Sequence, residues 1–198
     1  MNEKRKGRVM LPSQQQIDEE RRRLKYHKAY RKALIGAVQT LLMVAAIAVL
    51  ISSLFLPVLQ ISGDSMVPTL KDHEIVVLLK TDQFETGDIC SFSWNNRTLL
   101  KRVIGTAGDW IDIDEDGNVF VNGEQLDEPY VSEKSLGECD LTFPYQVPEK
   151  SLFLMGDHRK TSIDSRSSVI GSVKDDQVIG HVVFRVWPLS EFGPVGNH

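Results

Sequence analysis

Three short segments carry side chains able to attack a carbonyl carbon and to take up the proton that the attack releases. The first is Ser62-Gly63-Asp64-Ser65-Met66-Val67-Pro68-Thr69-Leu70; alone, a serine beside a glycine is usually just part of a turn. The second is Leu99-Leu100-Lys101-Arg102-Val103-Ile104-Gly105. As a strand it sets Leu99, Lys101 and Val103 on one face, and a lysine between aliphatic neighbours on an inward face is unusual because burying an ammonium is expensive. Two readings stay open from these residues. Either Lys101 snorkels from an edge strand or pairs with a carboxylate, or burial lowers its pKa from roughly 10.4 towards neutrality and frees an uncharged amine to act as a base. The third segment, Gly156-Asp157-His158-Arg159-Lys160-Thr161-Ser162-Ile163-Asp164-Ser165-Arg166, is dense in hydroxyls and opposite charges and reads as a polar network.

The elements that must hold these segments are short strands. Apolar runs at Glu74–Leu79, Ile89–Trp94, Thr98–Ile104, Trp110–Ile113, Val119–Val121, Ser151–Met155 and Gly180–Val186 are separated by turn signals, among them Glu115-Asp116-Gly117-Asn118 and Asn122-Gly123. No long 3.6-residue periodicity follows Pro57, so the fold class is mainly β. Residues from about 114 to 150 read as a hairpin and a loop-rich insertion without a linker that would mark a separate domain. Asp112-Ile113-Asp114-Glu115-Asp116-Gly117 mimics the start of a calcium loop, but the position that should hold a bidentate Glu is Gly123. An acidic hairpin turn is the better reading, and no metal is expected.

Ahead of the strands lies a different kind of chain. No charged residue occurs from Ala33 to Gly63, and Leu34–Leu59 is mostly Leu, Ile, Val and Ala, longer than the roughly 20 apolar residues that cross a bilayer. A cleaved secretory signal typically has an apolar core of only about 7–15 residues behind a short basic start, so an uncleaved anchor is the better fit. Residues 1–32 hold eleven Lys/Arg against four acids, and the remainder carries a net −11. Dense basic charge beside an apolar run favours a membrane over nucleic acid and places the N-terminus in the cytoplasm, while the acidic remainder disfavours phosphate-backbone binding. The chain thus divides into a basic tail (1–32), an anchor (33–60) and an extracytoplasmic β-domain (61–198). Gln14–Lys32 reads as a solvated tail, with a polar helix as the alternative. Cys90 and Cys139 cannot supply a zinc site; unpaired thiols and a disulfide both remain open.

Taken together, the three segments resemble the type I signal peptidase family. The nucleophile box around Ser65, the Lys101-Arg102-hydrophobic-hydrophobic-Gly105 box and the Gly156–Arg166 box occur in family order, with Gly87-Asp88-Ile89 and Val186-Trp187-Pro188-Leu189 besides, covering about residues 34–190. The resemblance implies a signal peptidase/LexA-like β-fold with one N-terminal transmembrane helix. It implies Ser65 as nucleophile, Lys101 as general base, and Ser162 as the hydroxyl that orients the lysine. Asp157, Asp164 and Arg166 match the charged framework, joined by Arg102, a fixed cation that would also disfavour a charged Lys101. Gly63 stands where some members have an oxyanion-binding serine, so the oxyanion donors are expected to be the backbone N–H groups of Ser65 and Gly63. His158 stands where many members have Asn and reads as a tolerated substitution.

The implied reaction is acyl-enzyme hydrolysis that removes signal peptides from exported preproteins with small residues before the cut, bound as an added strand. No cofactor is implied. A membrane-anchored Ser–Lys self-cleaving regulator and a non-catalytic peptide-binding relative are the alternatives. The first is disfavoured by the lack of a DNA-binding domain, the second by the presence of Ser65, Lys101 and Ser162 together.

Overall fold

Ser13 begins the first element. In the computed structural model, which describes residues 13–195, the Ser13 hydroxyl accepts from the Gln16 N–H (3.3 Å) and the Gln16 side chain accepts from the Ser13 N–H (2.9 Å). This reciprocal cap satisfies two donors that a helix start otherwise leaves open. Helix α1 then runs unbroken over Gln14–Phe55, 42 residues, about 63 Å at the standard rise. Gln14–Lys32 is therefore helical as well as solvated: it is rich in Gln, Glu, Arg and Lys, which are strong helix formers, and it extends a helix already nucleated by its neighbours. The basic residues Lys4, Arg5, Lys6 and Arg8 lie outside the described residues. Within α1, Gln14–Ser52 includes a window of mean hydropathy 2.5, long and apolar enough to cross a membrane and with none of that window buried inside the protein.

The helix stops ahead of Pro57, which offers no N–H and disfavours helical backbone at the residue before it. The end of the apolar run, Val58–Gln60, is strand β1. The chain falls into two units, one ending at Ile51 and the other starting at Ser52.

The second unit is built from antiparallel strands. After β1 come β2 (Ile75–Leu79), β3 (Ile89–Trp94), β4 (Arg97–Gly105), β5 (Trp110–Ile113), β6 (Val119–Val121), β7 (Glu124–Gln125), β8 (Tyr145–Gln146), β9 (Ser151–Met155), β10 (Val173–Lys174), β11 (Val178–Trp187) and β12 (Gly193–Pro194). The larger sheet has the order β1-β2-β11-β3-β4-β9-β10, with β12 on β11; the smaller has the order β7-β6-β5-β8. The seven strands expected from apolar runs all form. The five that were not expected are two or three residues long and lie at edges, where too few side chains exist to show a period.

Two turns fix the register that matters. Asn95 and Asn96 both adopt positive φ (+47° and +60°), the geometry of a two-residue hairpin, for which asparagine is well suited. That turn sets Lys101 opposite Cys90. Asn122 and Gly123 (φ +54° and +85°) make the same kind of turn between β6 and β7. In the acidic hairpin, the Asp114 carboxylate holds the Asn118 N–H at 2.8 Å and its side-chain amide at 2.7 Å.

Strand β4 is central to the core. Leu99 and Val103 pack with Cys90, Phe92, Leu152 and Leu154, whereas Leu100 joins Met66, Leu70, Val76 and Leu78. Ile104 meets Ile111, Val119 and Phe153 in a cluster that joins the two sheets. Both faces of β4 are thus covered, which is why its sequence reads as a nearly continuous apolar run interrupted by Lys101 and Arg102.

Candidate active site

Lys101 lies on β4 between Leu99 and Val103, as alternation requires, and is 4% exposed. Its Nζ donates to Ser65 Oγ at 2.6 Å. Burial is the main influence on the amine and lowers its pKa to about 8; Asp164 and Asp157 pull it up and Arg166 pushes it down. The cation that bears on Lys101 is thus Arg166. Arg102, the next residue along the strand, is turned to Asp157 instead.

Ser65 sits in the turn after β1. The Val67 N–H bonds the Asp64 carbonyl and the Leu70 N–H bonds the Met66 carbonyl, while Met66 and Leu70 are buried in the core. The neck of this loop is closed by the Ile61 N–H on the Glu74 carbonyl (2.8 Å) and the His73 N–H on the Ile61 carbonyl (3.0 Å). From the third segment, the His158 N–H donates to the Ser65 carbonyl at 3.1 Å, and the half-buried His158 ring turns to Thr161 Oγ1 at 3.0 Å. A Cβ on Gly156 would fall 2.5 Å from the Ser65 carbonyl oxygen and 2.3 Å from Ser162 Oγ, so only glycine admits this approach.

The charged residues named from the sequence come together behind the pair, all essentially excluded from solvent. Arg102 grips Asp157 through Nε (2.9 Å) and Nη2 (2.7 Å) and donates to the Gly87 carbonyl (2.7 Å). Arg166 grips Asp164 at 2.8 Å through both Nε and Nη2, and Asp164 also accepts the Gly156 N–H at 2.9 Å. Such buried, fully bonded pairs fix geometry more than they add stability.

Two expected contacts differ. The Gly63 N–H, expected to face the oxyanion, donates to Asp72 Oδ1 at 2.9 Å. Gly63 itself adopts a left-handed φ of +96°. The Ser65 N–H has no acceptor among the described residues and stays available. Ser162 Oγ is buried without a hydrogen-bond partner among the described residues, so the bond to Lys101 expected of it is not made here, although Ser162 stands beside Gly156 and the Ser65 carbonyl.

Sequence reasoning missed four framework residues. Arg159, within the third box, is buried and doubly bonded to Glu128. Thr69 donates its hydroxyl to Asp157 at 2.5 Å. The Tyr130 ring covers the Arg102 guanidinium at 3.8 Å. Arg159 and Thr69 lay in segments already singled out, whereas Glu128 and Tyr130 sit in the loop-rich insertion and carried no local signal. Cys90 and Cys139 are free thiols, and burial pushes Cys90 up to about 12, too high for a nucleophile near neutrality.

A hydroxyl bonded to a buried amine that is readily neutral is the arrangement of an activated serine. The family model described as signal peptidase, peptidase S26, matches residues 34–187. The chain belongs to this signal peptidase family. Signal peptidase IB of Staphylococcus aureus (strain Mu50) is 33% identical over 183 residues, spanning 82% of this chain and 94% of that protein. Signal peptidase I S of Bacillus subtilis (strain 168) is 31% identical over 173 residues, spanning 81% and 93%. A crystal structure of a signal peptidase I from Enterococcus faecalis V583 is 29% identical, with a TM-score of 0.41, covering 50% of this chain and 96% of that one. As a signal peptidase the chain is a serine peptidase that removes signal peptides, and it combines a mainly β fold with a single long apolar N-terminal helix among the described residues.

Proposed function

We propose that this signal peptidase is a single-pass membrane endopeptidase in which Ser65 is the nucleophile and Lys101 the general base. The observation that carries the proposal is the 2.6 Å contact between Lys101 Nζ and Ser65 Oγ, with the amine buried and its pKa lowered to about 8. Neutral Lys101 accepts the Ser65 proton as Oγ bonds to the scissile carbonyl carbon. The Ser65 N–H faces the resulting oxyanion. The proton then passes to the leaving amine, an acyl-enzyme forms, and Lys101 deprotonates the water that releases the signal peptide.

Ser162, at the side of the pair, orients the lysine when its unpaired hydroxyl turns to the amine. Asp157, Asp164, Arg102 and Arg166 hold the third segment against Ser65. The substrate lies extended beside an enzyme strand with small residues before the cut. The basic segment before the span keeps the N-terminus in the cytoplasm, the apolar part of α1 is the anchor, and the β unit, whose first strand is β1 at Val58–Gln60, acts on the outer face.

The test is cleavage of a signal-bearing preprotein by purified enzyme in detergent. Ser65→Ala and Lys101→Ala each lose at least about 10³-fold in kcat, the scale on which members of an activated-serine unit act. Cleavage by Lys101→Ala at the wild-type rate would remove the dyad.

A further inference from the structure

Arg185 is a nearly buried cation that the chemistry above leaves unused, and the strand carrying it is built to turn it inward. The register of β11 on β2 slips between Val182 and Phe184 and again between Arg185 and Trp187. Val182 stands opposite Leu78, and Arg185 opposite Val76; both β2 residues belong to the core. Directly opposed residues share a face. Strict alternation from Val182 would have turned Phe184 to that face, but the bulge puts Arg185 there.

Once inside, the guanidinium holds the loop that carries Ser65 at two points, Glu74 at its end and Thr69 within it. Nη1 meets Glu74 Oε1 at 3.1 Å as well as the Glu191 carboxylate, and Nη2 donates to the Thr69 carbonyl at 2.9 Å. Glu74 is the residue whose carbonyl closes the loop's neck on Ile61. Thr69 is four residues past Ser65, and its hydroxyl is held from the opposite side by Asp157 at 2.5 Å and Arg102 at 3.3 Å. Arg185 Nε and Glu74 Oε2 are buried with no partner among the described residues. An ion pair arranged for stability would use those atoms for a second bond; here the second nitrogen is directed to Thr69 instead.

We infer that Arg185 is a positioning residue for the reaction, clamping the Ser65 turn at Thr69 so that the hydroxyl stays at the amine. The inference rests on Ser65 being the nucleophile. A loosened turn misplaces Oγ without touching the substrate, and misplacement by about 1 Å can cost on the order of 100-fold in rate.

The experiment is steady-state cleavage of a preprotein by the full chain, with a pH profile for each variant. Arg185→Gln lowers kcat roughly 10- to 100-fold and leaves KM within about twofold. The pH midpoint of the rate does not move, because Arg185 is not among the charges acting on Lys101. Arg185→Lys keeps the charge but loses the planar fork that spans Glu74 and Thr69, and recovers part of kcat; it also decides the matter if Arg185→Gln does not fold. An unchanged kcat in Arg185→Gln (or in Arg185→Lys where Arg185→Gln does not fold), a loss confined to KM, or a moved pH midpoint overturns the inference. Ser65→Ala in the same assay separates the two claims, since cleavage by that variant defeats the nucleophile reading whatever Arg185 does.

Discussion

At the scale of the residue, the decisive quantity is the charge state of one amine. Lys101 touches Ser65 Oγ at 2.6 Å, and only its neutral form can take a proton. With burial lowering its pKa to about 8, the reactive fraction is small at pH 6, half at about pH 8 and nearly complete at pH 9.5. Initial-rate kcat/KM for preprotein cleavage therefore rises with pH and levels off above a midpoint near 8, the sign expected of a base whose pKa is depressed by burial. A profile still climbing through pH 10 would mean the amine is solvated in the working enzyme. The partial opposition of Asp164 and Asp157 against Arg166 keeps the shift from going further, so the amine stays basic enough to accept the serine proton.

At the scale of the element, the insertion between β5 and β9 behaves as a brace for the third segment. Glu128 receives both terminal nitrogens of Arg159 with neither side chain exposed, and the Ser135 and Leu136 carbonyls accept from Arg166 at 3.1 and 2.8 Å. Gly137 makes that approach feasible: at φ +61° a Cβ there would lie 2.4 Å from the Arg159 carbonyl oxygen. Removing one member of a buried pair strands the other charge, at a cost of about 3–5 kcal/mol. Glu128→Ala is thus expected to lower the melting temperature by on the order of 10 °C, given about 2–4 °C per kcal/mol for a domain of this size. Calorimetry checks this, and the paired change Glu128→Leu with Arg159→Met should recover much of the loss because no charge is left unpaired. If the double variant is as unstable as the single one, the brace acts through packing and not through charge.

At the scale of the whole molecule, the two units divide the labour. The β unit holds the chemistry, and α1 supplies an apolar window of mean hydropathy 2.5 preceded by Arg21, Arg22, Arg23, Lys25, Lys28, Arg31 and Lys32. If that charge sets orientation, replacing these seven residues by Glu reduces signal-peptide processing in cells, while the same protein in detergent cleaves preprotein at a rate within about twofold of wild type. Protease added to the outer face reports the orientation directly. Equal processing in cells by the two forms would show that the basic segment does not direct insertion.

Hydrophobic length, strand period and turn chemistry are local properties, and they determined the apolar span, the seven strands read from apolar runs and the Asn122-Gly123 turn. It was the resemblance to the signal peptidase family that marked Ser65, Lys101 and the Gly156–Arg166 segment as belonging together. The helical state of Gln14–Lys32 was legible too, in the spacing of Ser13 and Gln16, although its polar composition suggested a tail. Tertiary structure alone decided which partner each polar group found. Asp72 takes the Gly63 N–H, Glu128 reaches Arg159 from 31 residues away, and a bulge in β11 turns Arg185 to the core. None of these follows from spacing along the chain, because each depends on which segments the sheet order brings side by side.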